Sequence, residues 1–218
     1  MFVALRDIFA PAELGVVQTV AGGLDFEDGG RTAGRLARQV KQNSQAKSGL
    51  ERAAVLDKVA AALMAHPVFL SAARPRVFVR LMVSRYGPGD QYGLHVDDAL
   101  MGGQRTDLSF TLFLSDPDTY QGGGLVIEDG LESRTVRLAA GQAILYPSTT
   151  LHRVEPVTSG QRLAVVGWVQ SHIRDAGRRE VLFDLDRAFA LAEAQGAGAE
   201  QLLAIGKSRS NLLRMWAE

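Results

Sequence analysis

Between Arg76 and Ser84 the side chains alternate with a period of two, with Val77, Val79, Leu81 and Val83 on one face and Phe78, Arg80, Met82 and Ser84 on the other. Successive side chains of a strand point to opposite faces, so this spacing predicts an extended segment. Further short strand-like pieces follow over 107–114, 124–128, 134–138, 143–146, 152–156 and 163–170. They are separated by turn-rich stretches such as Gln121-Gly-Gly-Gly, Ala140-Gly-Gln and Thr158-Ser-Gly. Seven or eight strands with little helix between them predict a sandwich or barrel.

On both sides of this region the period turns helical. Pro11 suits a first helical turn, and Leu14, Val17 and Val20 share a face behind it. A glycine-flanked stretch, 22–30, interrupts the pattern. From 50 to 65, Leu56, Val59 and Leu63 fall at helical spacing until His66-Pro67 stops the run. After Ser171 the helical pattern returns, with Val181, Leu185, Ala188 and Ala192 roughly in register, a break at Gly196-Ala-Gly198 and a last piece through Leu212, Leu213 and Trp216. The expectation is a mainly β protein with flanking helices: a helical flank over 1–75, a β core over 76–172 and a helical extension over 173–218. No internal repeat or separate linker stands out, so the helices should buttress one core.

Composition narrows the chemistry. The 218 residues are 46% hydrophobic and 22% charged, which excludes gross disorder. Twenty-four basic residues balance twenty-four acidic ones, so no overall field favours nucleic acid or an anionic membrane as the main partner. No apolar run approaches the roughly 18 residues of a membrane helix. Asp7 falls where a signal peptide would continue its apolar core, and the expectation is a soluble cytoplasmic protein. With no cysteine, any metal must sit on His, Asp or Glu, and only four His are available.

The strongest local signal is Tyr86-Gly-Pro-Gly-Asp-Gln-Tyr-Gly-Leu-His95-Val-Asp97. On an extended strand, residues two apart point the same way, so His95 and Asp97 can converge on one ion. An isolated His-X-Asp triplet occurs by chance in many chains. His152, at the start of a later strand, adds the second imidazole. Two His and one carboxylate on one side of an ion leave adjacent positions open, the donor set used by non-haem Fe(II) oxygenases. Ten residues on, Arg162 presents a planar, permanently charged fork that can hold the far carboxylate of 2-oxoglutarate. It reads equally as a strand-end arginine exposed at a turn.

These residues resemble the prolyl 4-hydroxylase-like branch of the Fe(II)/2-oxoglutarate dioxygenases, and more narrowly the bacterial PKHD-type hydroxylases, the PiuC-like group associated with iron uptake. The resemblance covers nearly the whole chain. Beyond Tyr86 to Asp97 it is carried by Asp28-Gly-Gly-Arg-Thr-Ala-Gly, Gln39-Val-Lys-Gln-Asn, Asp107-Leu-Ser-Phe-Thr-Leu-Phe-Leu-Ser and Tyr120-Gln-Gly-Gly-Gly. It continues through Tyr146-Pro-Ser-Thr-Thr-Leu-His-Arg-Val, Gly167-Trp-Val-Gln-Ser, Ile173-Arg-Asp, Leu182-Phe-Asp-Leu-Asp and Asn211-Leu-Leu-Arg-Met-Trp. It implies a double-stranded β-helix (jelly-roll, cupin-like) core, Fe(2+) on His95, Asp97 and His152, and 2-oxoglutarate on Arg162. The implied reaction is O2-dependent hydroxylation with release of succinate and CO2. L-ascorbate enters only through the family's name class.

Tyr86 and Tyr92 flank the ligand turn. They read either as hydrogen-bonding contacts to cosubstrate or substrate, or as packed rings with satisfied hydroxyls. Other conspicuous residues have plainer readings. His66 looks like a helix-end cap, and His172 lies beyond the last strand. Gly122, Gly123 and Gly124 lack the Lys-Ser/Thr of a phosphate loop and read as a turn bordering the site. Arg31, Arg35, Arg38 and Lys41 read as a solvated helix face. Asp98 should point away from Asp97. The terminal helices should pack on the core, and a homo-oligomer contact through them is the alternative. Two rival functions use the same barrel: a non-catalytic iron or small-molecule sensor, and a Zn2+ hydrolase. The substrate stays open among peptides, siderophore-like or other small molecules and protein side chains.

Overall fold

The computed structural model describes residues 1–32 and 40–218. The chain opens with β1 (Val3–Leu5), α1 (Pro11–Gly22) and β2 (Phe26–Asp28), then β3 (Lys41–Gln42) and β4 (Ser44–Ala46). Helices α2 (Leu50–Ala65) and α3 (Pro67–Ala73) lead into the long β5 (Pro75–Tyr86) and β6 (Gln91–His95). A small hairpin, β7 (Leu100–Met101) and β8 (Gln104–Arg105), precedes β9 (Leu108–Phe113), β10 (Tyr120–Gly122), β11 (Leu125–Asp129) and β12 (Glu132–Val136). The core closes with β13 (Ala143–Pro147), β14 (His152–Val154), β15 (Val157–Gly160) and β16 (Arg162–Ser171), followed by α4 (Ala176–Ala194) and α5 (Ala199–Trp216).

Two antiparallel sheets form the expected jelly roll: a seven-stranded one ordered β1-β13-β9-β16-β5-β4-β2 and a five-stranded one ordered β12-β11-β14-β6-β3. One core fills the space between the outer face of the larger sheet and helices α1 to α3, with Val55, Val59, Leu63 and Phe69 packed among Val83, Leu112, Leu145 and Val165. A second, smaller core of Phe113, Leu125, Ile127, Ile144 and Val154 lies between the sheets. The helices start where local chemistry allows. Pro11 opens α1, where a missing N–H costs nothing. Glu13 accepts from the Ala10 N–H at 3.1 Å. His66 caps α3 by accepting from the Phe69 N–H, while its other ring nitrogen meets the Arg6 carbonyl at 2.7 Å. Asp175 caps α4 through the Arg178 N–H at 2.8 Å. Among the described residues no single helix is long and apolar enough to cross a membrane.

The structure corrects the periodicity in four places. The stretch 1–75 is more than a helical flank, since β1, β2 and β4 extend the seven-stranded sheet and β3 edges the other. Strands of two or three residues carry too few positions to show a period. Thr158-Ser159-Gly160 and Gln121-Gly122, read as turns, lie in β15 and β10, which pair with each other. In α4 the buried positions are Arg179 and Leu182, while Val181 is exposed, a displacement of one residue from the expected stripe. Arg179 is held there by the Ile173 and Arg174 carbonyls at 2.7 and 2.8 Å.

The fourth correction concerns Phe78. It was expected to share a face with Arg80, Met82 and Ser84, yet it stacks on Phe69 and edges Phe110 on the helix side. A β-bulge is the reason: Arg80 pairs with Trp168 and Phe78 with Val169, so β5 has an extra residue, Val79, against one step of β16.

Gly167 sits in the middle of β16 opposite Leu81 and Phe110. A Cβ there would stand 2.4 Å from Leu81 Cδ2 and 2.5 Å from Phe110 Cε1. Gly167→Val should therefore lose about 1–3 kcal/mol of stability through overpacking, measured as a lower urea midpoint with an unchanged m-value.

Candidate metal centre and active-site cleft

The triad is assembled by strand register. β14 runs antiparallel to β6 with His152 directly opposite His95, and the two ring centroids lie 4.2 Å apart. Asp97 follows two residues after His95, just past the strand's end, and its carboxylate oxygens lie 3.9 Å from His95 Nε2 and 3.8 Å from His152 Nε2. One ligand atom from each of the three falls within 4.8 Å of the others, so together they can hold a metal ion.

Each imidazole is aimed from behind. His95 Nδ1 lies 2.8 Å from the Gly93 carbonyl and His152 Nδ1 lies 2.9 Å from the Thr150 carbonyl. A carbonyl only accepts, so both Nδ1 atoms carry the proton and both Nε2 lone pairs face the centre. Burial, followed by the neighbouring His152, holds His95 below its ordinary pKa and keeps it neutral. Asp97 is fixed in turn by Ser109 Oγ, which donates to it at 2.5 Å and lies 2.8 Å from Ser148 Oγ.

The triad lines a cleft between the sheets. Arg162 lines the same cleft, at the first position of β16 and opposite Tyr86 of β5. It is 1% exposed, and its Nε and Nη2 have no hydrogen-bond partner among the described residues. Its guanidinium lies 5.2 Å from the centroids of both the Tyr86 and Phe113 rings. Burial pushes the Tyr86 hydroxyl up to about 12 despite Arg162, so Tyr86 is neutral and supplies no counter-charge. Gly123, at φ +63°, packs on the Arg162 side chain, and a Cβ there would stand 3.1 Å from Arg162 Cδ. A buried cation left short of acceptors is costly unless a ligand completes it.

All six residues predicted for the site line this one cleft: His95, Asp97, His152, Arg162, Tyr86 and Tyr92. The reading of Arg162 as an exposed strand-end arginine fails on its burial. Tyr92 stacks on the His95 ring at 3.6 Å and 16°, and burial raises its hydroxyl above the ordinary value. Of Gly122 to Gly124, expected as a turn bordering the site, Gly123 approaches the Arg162 side chain. Asp98 is exposed at the cleft's mouth and stands outside the triad. His66 and His172 also stand outside it.

Arg35 and Arg38 lie outside the described residues, but Lys41 departs from the solvated helix face expected of it. It sits on β3, 8% exposed, with its ammonium 5.2 Å from the Tyr92 centroid. Burial, then Arg80, lowers its pKa to about 8 against the pull of Asp97 and Asp28. Sequence reasoning also missed Ser109, Tyr146, Arg80 and Trp168, all of which line the cleft. The alternation of 107–114 places Ser109 and Thr111 on one face, a polar pair in an otherwise apolar strand and the one signal that could have found Ser109.

Comparison with known proteins agrees with this geometry. Residues 81–170 match the 2OG-Fe(II) oxygenase superfamily, and residues 176–218 match the PKHD-type hydroxylase C-terminal domain. Over 219 residues the chain is 48% identical to a PKHD-type hydroxylase of Maricaulis maris, covering 100% of both chains. It is 50% identical over 220 residues to one from Parvibaculum lavamentivorans, with the same coverage. Among solved structures, the Pseudomonas putida prolyl-4-hydroxylase shares the fold at TM-score 0.53 and 21% identity, over 78% of this chain and 92% of that one. HygX from Streptomyces hygroscopicus, with nickel and 2-oxoglutarate bound, does so at TM-score 0.59 and 14% identity, over 79% and 84%. With full-length identity near one half and a His-Asp-His cluster in a jelly-roll cleft, the chain belongs to the PKHD-type hydroxylases of the 2OG-Fe(II) oxygenase superfamily.

Proposed function

We propose that His95 Nε2, His152 Nε2 and the Asp97 carboxylate hold Fe(II), and that Arg162 holds the far carboxylate of 2-oxoglutarate while a substrate is hydroxylated at the mouth of the cleft. The observation that carries this reading is the buried Arg162 guanidinium, short of partners, in the same cleft as the triad. The two imidazoles and one carboxylate fit a ferrous ion with open positions. Bound there, the metal supplies activation of O2 coupled to oxidation of the keto acid.

The chain's own residues orient and enclose. Ser109 fixes the Asp97 carboxylate, and the Gly93 and Thr150 carbonyls fix both imidazoles. Tyr86 and Phe113 wall off Arg162 from water, so a carboxylate arriving there meets an undershielded charge. Tyr92 covers one face of His95. A bare metal sensor has no use for Arg162, and this favours catalysis over the sensor reading. The family resemblance alone supports a substrate linked to iron supply and ascorbate as a reductant.

Under anaerobic conditions, Fe(II) and 2-oxoglutarate should give a weak visible charge-transfer band with the purified protein, and O2 should then release succinate. Asp97→Ala should lose the metal and the band. Arg162→Leu should keep the metal yet weaken 2-oxoglutarate binding by about 100-fold or more, the scale of leaving a charge without its buried partner. No band at saturating reagents would overturn the assignment.

Ser109→Ala should leave the three ligands in place but weaken Mn(II) or Fe(II) affinity by about 10–100-fold, because Asp97 loses its orienting donor. Metal titration followed by calorimetry reads this directly.

A further inference from the structure

The inner face of the larger sheet is ruled into rows by its register. At one level, Arg80, Trp168, Ser109 and Tyr146 stand side by side across β5, β16, β9 and β13. At the other end of β16, Tyr86 and Arg162 form the closing row. Trp168 lies six residue steps along the strand from Arg162, a span of about 20 Å. The cleft therefore has a cation at each end. Arg162 is buried, whereas Arg80 is exposed at the mouth and has no ion-pair partner among the described residues. Ser109, in the Arg80 row, holds Asp97, so this row runs past the triad.

Two further features belong to the open end. The Trp168 indole N–H is buried and has no acceptor among the described residues. Lys41 also lines the cleft, close enough to both Arg80 and Asp97 to feel their charges. Two carboxylates outside the triad oppose them: Asp98 lines the cleft, and Asp28 lies close enough to Lys41 to pull on its charge. On the reading above, Arg162 is matched by the keto diacid, and the metal is matched by Asp97 and the chelating end of that diacid. The cation at the mouth with no ion-pair partner among the described residues is then Arg80.

We propose that the substrate carries a carboxylate, received at the open end of the cleft by the Arg80 guanidinium and the Trp168 indole N–H. The planar fork of Arg80 suits a carboxylate, and the indole supplies a third donor that accepts nothing. Arg80 and Trp168 are thus specificity residues for the hydroxylation. This rests on the reading of Arg162 as the 2-oxoglutarate end.

The test uses full-length protein loaded with Mn(II) and saturating 2-oxoglutarate, after calorimetry has established 2-oxoglutarate binding on its own. The probes are 3-phenylpropionate, its neutral amide and 3-phenylpropylamine, which share an apolar part and differ in charge. Trp168 is one of only two tryptophans, so Trp216→Phe leaves its fluorescence as a local reporter, with calorimetry as a second readout. The carboxylate should quench Trp168 and bind at least about tenfold tighter than the amide or amine, and Arg80→Gln should erase that preference while 2-oxoglutarate affinity holds. Equal binding of the three probes, binding of none, or a preference that survives Arg80→Gln would overturn the proposal. A carboxylate that competes with 2-oxoglutarate and is lost in Arg162→Leu would overturn it too, since the probe would then be reading the closed end. Failure of 2-oxoglutarate itself to bind would count against the Arg162 assignment instead, and the three-probe comparison without it would still decide whether Arg80 selects a carboxylate.

Discussion

Everything chemical in this molecule depends on His152 lying opposite His95 across two short antiparallel strands. A strand side chain has only two faces to choose from, so a slip of one residue would turn an imidazole away from the cleft. The register is held on both flanks. β11 pairs with β14 on its other side, placing Ile127 opposite His152, and β3 pairs with β6 at Tyr92. Buried Leu125, Ile127 and Val154 face the second core, where a slip of β14 would exchange Val154 for Arg153 or Glu155. Packing of the smaller core thus fixes the triad, and the hydrogen bonds to Nδ1 then need only choose the tautomer.

The same fold keeps a charge where charge is expensive. Arg162 shares its surroundings with Phe113, Tyr86 and the Gly123 turn, and the Tyr86 hydroxyl is held neutral by burial. A sequence selected for stability alone would place an apolar residue at the start of β16, as such replacements of buried ions are often neutral or stabilising. Retaining a guanidinium there makes sense if a diacid completes it, and the low-dielectric walls then strengthen that contact well beyond its value at a surface. The stability cost and the ligand affinity come from one feature.

Much of this could be read from the chain before any coordinates. The period-two pattern from Arg76, the spacing of His95, Asp97 and His152, and the position of Arg162 located the core, the triad and the arginine that shares its cleft. What stayed hidden has a common physical cause. Strands of two or three residues, such as β1 and β3, have no periodicity to detect, so Lys41 looked like part of a helix face instead of a buried cation beside Tyr92. Ser109 is orienting only because a distant carboxylate arrives next to it, and no local signal reports a partner twelve residues away. Arg80 looked like an ordinary polar strand position because its companions in the row come from three other strands.

Two bulges do what alternation cannot. In β6, Tyr92 faces Val154 while His95 faces His152, so four residues of β6 span three of β14. The extra residue lets Tyr92 and His95, three apart and nominally on opposite faces, stack ring on ring at 3.6 Å. Gly93, between them, lets Val40 approach β6 closely, since a Cβ there would lie 2.7 Å from Val40 Cβ. In β5 the bulge at Val79 works in the reverse sense, separating Phe78 and Arg80, two apart and nominally on one face. Phe78 goes to the aromatic cluster under the helices and Arg80 to the cleft. Without that insertion, an unbroken alternation carrying Phe78 into the helix core would carry Arg80 there as well, burying a cation in apolar packing and leaving the mouth of the cleft without its positive charge.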